Sequence, residues 1–90
     1  MKTVQQVERL TKLAEKLGYE IRYEDFGGVG GGRCEFGNRR CLFIDLSLSS
    51  IDQLEQLRAA LLEDPSLSTN QLPTVLIQDL GLPTSTNPVV

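Results

Sequence analysis

The sequence predicts a single α+β domain: a helix, a three-stranded antiparallel β-sheet, a second helix and a short C-terminal helix. Three observations carry that prediction. Apolar residues recur at three- and four-residue steps in two separate segments, residues 19–24 alternate apolar with charged, and two strand-like runs flank the turn pair Gly37-Asn38. A chain of 90 residues, 40% hydrophobic and 23% charged, has the material for one small core. The domain is expected over residues 1–81, with 82–90 as a loose tail, since that end combines two prolines with Thr-Ser-Thr-Asn.

The first helix has Thr3 and Gln6 at capping-box spacing. Val7, Leu10, Leu13, Ala14 and Leu17 then form one stripe, and Gly18 stands where a left-handed cap belongs. In the following strand Tyr19, Ile21 and Tyr23 are expected inward, with Glu20, Arg22 and Glu24 on a wet face. Gly27-Gly-Val-Gly-Gly-Gly32 disfavours regular structure on backbone entropy and is expected to be the most mobile internal segment. Across a two-residue turn Phe36 should face Arg39, Glu35 face Arg40, and Cys34 face Cys41. Cys41-Leu-Phe-Ile44 is apolar on both faces, which places residues 41–46 inside a covered sheet or at an interface.

Ser50 and Gln53 repeat the capping-box spacing before a stripe of Ile51, Leu54, Leu57, Leu61 and Leu62. Asp64-Pro65 ends that helix, because a residue before proline is pushed out of the helical region. Residues 73–80 read as a short helix opened by Pro73 and closed by Gly81, or as a strand over 74–77. The helix reading makes this segment the natural cover for a sheet edge or for the second face of 41–46.

Charge is divided unevenly. Residues 1–45 hold eight bases and seven acids, while residues 46–90 hold Arg58 alone against five acids. The acidic half is either solvated or faces a basic partner. The net charge of −3 argues against a polyanion binder, and no apolar run approaches a membrane span. Histidine is absent, which removes Ser-His-Asp and Cys-His catalysis and any His-ligated metal. Two cysteines do not make a disulfide-built scaffold, so a small cytoplasmic domain is expected.

Three groups invite chemistry. The glycine run lacks the Lys-Ser/Thr of a phosphate loop, and Arg33 stands where a dinucleotide fingerprint needs Gly or Ala. Its amides are still able to form an anion nest, with Arg33, Arg39 and Arg40 as anion or RNA contacts. Cys34 and Cys41 are spaced unlike a Cys-x-x-Cys motif. Facing each other across the hairpin, they read as reduced packed thiols, or as a redox or metal-responsive pair. Glu24-Asp25 and Glu63-Asp64 are adjacent carboxylates, read as solvated.

Leu13-Ala-Glu-Lys-Leu-Gly-Tyr-Glu-Ile21, Gly31-Gly-Arg-Cys34, Leu42-Phe-Ile-Asp45 and Leu54–Leu61 together resemble small uncharacterised bacterial proteins that pair a Gly-Gly-x-Cys segment with flanking helices. That resemblance covers most of residues 10–64 and implies no activity. The order helix, strand, hairpin ending Phe-Ile-Asp, helix also resembles the opening of ImmA/IrrE-like zinc metallopeptidases. Where those proteins carry His-Glu-x-x-His, this chain has Leu54-Glu-Gln-Leu-Arg-Ala-Ala-Leu61, so no catalytic or metal residue carries over. The expectation is a non-enzymatic interaction or self-associating module without catalytic residues, metal or cofactor. It would act on a protein partner or on itself, through 41–46 or the acidic half, and not on nucleic acid or membrane.

Overall fold

The computed structural model describes residues 2–83. The chain forms α1 (Lys2–Lys16), β1 (Glu20–Glu24), β2 (Gly32–Phe36), β3 (Arg39–Asp45), α2 (Ser50–Leu62), a 3-10 turn (Thr69–Gln71) and α3 (Thr74–Asp79). The architecture is α+β, and the ambiguous segment 73–80 is helical. The tail expected over 82–90 lies outside the described residues from 84 onward. Leu82 packs, partly buried, against the core.

The sheet is mixed, not antiparallel throughout. Its order is β1-β3-β2, with β3 parallel to β1 and antiparallel to β2. The hairpin register is the expected one: Phe36 opposite Arg39, Glu35 opposite Arg40, Cys34 opposite Cys41. Gly37 has φ 61° and Asn38 does not have positive φ, the pattern of a type II′ turn, which matches the twist of the flanking strands. What the antiparallel expectation missed is the crossover. The segment after β1 passes over the end of β3 and delivers the chain to its far side. The hairpin then brings β3 back beside β1 in the same direction. The most apolar strand thereby takes the centre, where both its edges are paired.

The core lies between one sheet face and the two longer helices. Leu10, Leu42, Leu57, Leu61 and Leu80 are almost wholly buried there, with Ala14, Ile44 and Leu54 around them. The stripe of α1 is the predicted one. That of α2 is Leu54, Leu57, Ala60 and Leu61, while Ile51 and Leu62 stay exposed. Both caps also differ from expectation. α1 already includes Thr3, and α2 is capped one residue earlier, by Ser49, whose hydroxyl accepts the Asp52 N–H at 3.2 Å. Helix α3 does not cover the sheet's second face. It lies against α1, where Arg9 grips the buried Asp79 with two nitrogens at 2.6 and 3.0 Å.

Candidate functional site

Because side chains alternate along a strand, the register sorts the sheet into two faces. Leu42 and Ile44 point to the helices, and with them Arg33 and Ile21. Cys41 and Phe43 point the other way, beside Glu20 and Arg22 on β1 and Cys34 and Gly32 on β2. Among the described residues no helix lies over this second face. Phe36 is 52% exposed there and Cys34 is exposed, while Cys41 in the centre is buried. Phe26, just after β1, meets Phe43 edge-on, with ring centroids 5.8 Å apart at 84°. Beside that pair is a hollow of about 300 Å³, lined by Phe26, Phe43, Arg33, Cys34 and Gly30–Gly32. The β1 border of the face is a ladder of exposed ion pairs, Arg39–Glu20 at 3.1 Å, Arg22–Glu20 at 3.3 Å and Arg22–Glu24 at 3.7 Å. Such pairs contribute little stability. Tyr23, expected inward, is 53% exposed.

The glycine segment is anchored. Asp45, at the end of β3 and fully buried, accepts backbone N–H groups from Phe26 (3.0 Å), Gly28 (3.0 Å), Gly30 (2.8 Å) and Ser47 (2.9 Å). Gly31 donates to Gln56 Oε1 at 3.2 Å, and Gly27 to Asp25 at 2.8 Å. At Gly31 a Cβ would sit 1.9 Å from the Phe43 carbonyl oxygen, so only glycine passes that close to the sheet. Burial alone raises the Asp45 carboxyl pKa, but the four N–H donors outweigh it and hold the group below the usual carboxylate range. The nest of amides foreseen for an external anion is therefore filled by the protein's own carboxylate.

Of the three arginines, Arg33 and Arg40 meet at the Tyr19 hydroxyl and Arg39 lies apart. Arg39 lies on the open face with Glu20. Arg40 faces the helices, donates to Leu17 O (2.6 Å), Tyr19 Oη (2.9 Å) and Asp64 (2.5 Å), and stacks 4.2 Å from the Tyr19 ring centroid. Arg33 reaches only Tyr19 Oη, at 3.4 Å. Asp64, read as solvated, is buried: it accepts from the Tyr19 hydroxyl (2.6 Å), Arg40, and both the N–H (2.8 Å) and hydroxyl (2.7 Å) of Ser66. Burial pushes its carboxyl up, and these donors more than offset that, leaving it far below the ordinary range.

Two of the five acids in the C-terminal half, Asp64 and Asp79, thus face Arg40 and Arg9 of the same chain. Part of the charge asymmetry is internal. Nothing in the spacing marks these aspartates, because their partners lie 24 and 70 residues away. Both cysteines are free thiols in register with each other. Among the described residues no cluster of His, Cys, Asp or Glu suits a metal ion, and no buried side-chain nitrogen or oxygen lacks a hydrogen-bond partner. None of their helices is long and apolar enough to cross a membrane. No protein-family model, curated protein or solved structure matches the chain.

Proposed function

We propose that this chain is a non-catalytic protein-interaction module that makes contact through the open face of its sheet. One observation carries the reading: Phe36, Phe43 and Phe26 lie along a face that no described helix covers, in a chain that places both long helices on the other side. Aromatic side chains bury large areas at little entropy cost, which makes them the usual anchors of protein contacts. Strand 41–46, first expected to be the contact itself, has both backbone edges paired, so its contribution outward is Phe43 and the exposed Leu46. The absence of histidine and the internal pairing of Asp45, Asp64 and Asp79 fit a scaffold whose polar groups are spent on holding the fold.

The test is site-dependent photo-crosslinking in the source cell. A benzophenone side chain replacing Phe36 should give discrete protein adducts, while the same group replacing Gln5 on the exposed side of α1 should give none. Equal adduct patterns at the two positions, or none at Phe36, would sink the reading.

A further inference from the structure

We infer that the occupant is a second copy of this chain, paired antiparallel with the free edge of β2 about a two-fold axis through Cys34, each Phe36 filling the other copy's hollow beside Phe26 and Phe43. The inference rests on the proposed reading of the open face as a contact surface and places the contact at the β2 border of that face.

With β3 central, the outer edge of β2 has no strand beside it among the described residues. The type II′ turn decides which backbone groups that edge presents. Phe36 and Arg39 close the hairpin as a hydrogen-bonded pair, so Cys34 and Gly32, two and four residues back, also bond inward to β3. The N–H and C=O groups of Arg33 and Glu35 therefore point away from the sheet. No hydrogen bond within the described residues takes them up. An edge of this kind is a template for another strand.

The sequence of β2, Gly-Arg-Cys-Glu-Phe, is complementary to itself in one register. Centred on Cys34, antiparallel pairing sets Arg33 opposite the partner's Glu35 twice over, and joins those residues by their outward N–H and C=O groups. Centring on Arg33 or on Glu35 keeps the hydrogen bonds but sets like charges opposite each other. The Cys34 register also sets Phe36 opposite the partner's Gly32. A Cβ at Gly32 would meet nothing within 4 Å, and the hollow of about 300 Å³ lies there, so the ring enters open space next to Phe43. On the helix side the groove along Gly31–Arg33, about 300 Å³, is walled by Gln56, Ala59, Ala60 and Glu63. The two Cys34 residues form a non-hydrogen-bonded pair, with Cα atoms about 4.5 Å apart, close enough for a disulfide.

Light scattering and sedimentation of the full chain from micromolar to millimolar concentration should show a monomer–dimer equilibrium. The amide signals of residues 32–36, Phe26 and Phe43 should shift with it, and the Arg33 and Glu35 amides should gain hydrogen-exchange protection. Arg33→Glu and Glu35→Lys should each weaken the dimer about tenfold, and mixing the two variants should restore association as a heterodimer. In a Cys41→Ser background, diamide should join two copies: each Cys34 thiol gives one hydrogen to the azo bond, which becomes a hydrazine, and the two sulfurs bond. A wild-type chain monomeric at millimolar concentration, a dimer indifferent to both charge reversals, or no diamide-linked dimer would overturn the inference. If the chain is monomeric yet crosslinks to other proteins at position 36, the second copy falls and the interaction reading stands. If it is monomeric and forms no adducts there, both fall.

Discussion

The two faces of the sheet are held by different physics. On the helix side, leucines from α1, α2 and β3 exclude water, and two buried aspartates, Asp64 and Asp79, are each satisfied by several donors. On the open side, exposed ion pairs and half-exposed aromatics share the surface, while Cys41 and, under the glycine segment, Asp45 are buried. Both long helices pack on one side of the sheet, so apolar burial is concentrated there. The other is left free to change without unfolding the domain.

The sharpest way to break this comparison is to truncate one large apolar side chain on each face. Leu61 is wholly buried, and Leu61→Ala should destabilise by about 3 kcal/mol, through lost transfer energy and the cavity left behind. Phe36→Ser removes a larger side chain, yet half of it is already in water, and the monomer should lose under about 1 kcal/mol. Urea unfolding at micromolar concentration measures both. Similar losses would mean that the open face is covered in the folded monomer.

A smaller effect is expected from the polar anchors. Asp64→Asn exchanges an oxygen that only accepts for an amide that donates, facing donors from Tyr19, Arg40 and Ser66, and it removes the charge opposite Arg40. The loss should be about 2 kcal/mol. The wild-type pH dependence follows from the same groups. The carboxyls of Asp64 and Asp45 titrate lower in the folded chain than their unfolded value of about 4. Below that value the unfolded chain therefore binds more protons than the folded one. The stabilisation is complete above about pH 5 and drains away as pH falls through the folded pKa values. Urea midpoints should fall steeply below about pH 4, and less steeply in Asp64→Asn. Parallel curves would show that Asp64 does not stabilise through its ionised form.

What was legible in the sequence divides along the same line. Period and turn chemistry are local, so the helices, the strands and the hairpin register could be read from neighbouring residues. Parallel pairing of β1 with β3 depends on which side of β3 the glycine segment comes down, and that is decided by Asp45 catching the amides of Phe26, Gly28 and Gly30 from 15 to 19 residues away. No local pattern encodes such a contact. Asp64 was misjudged for the same reason: an aspartate near a helix end looks solvated until the fold brings an arginine to it. The cap of α2 moved by a residue because adjacent serines, Ser49 and Ser50, offer the same oxygen to the first turn. The pattern identified the wet row Glu20, Arg22, Glu24 on the open face but assigned the opposite face a second inward aromatic, Tyr23, which the fold leaves exposed.

The mildest perturbation sharpens the contrast most. Glu20→Gln is the same carboxylate-to-amide change as Asp64→Asn, carried out on the open face. Glu20 also meets two arginines, Arg22 and Arg39, at distances that count as ion pairs. What differs is water. The Glu20 side chain is 42% exposed and its partners 50% and 69%, against 1% for Asp64. Solvent screens the first set fully and the second only from the Arg40 side, which is 27% exposed, and an amide at position 20 can turn its donor to water without leaving an acceptor unmatched. The change should therefore move stability by less than about 0.5 kcal/mol, and what little it moves should vanish in molar salt. Comparing urea midpoints of the two variants at micromolar and at millimolar protein separates burial from association. A loss at Glu20 that appears only at high concentration belongs to the dimer. A loss matching Asp64→Asn at every concentration would mean that the two faces are not built differently after all.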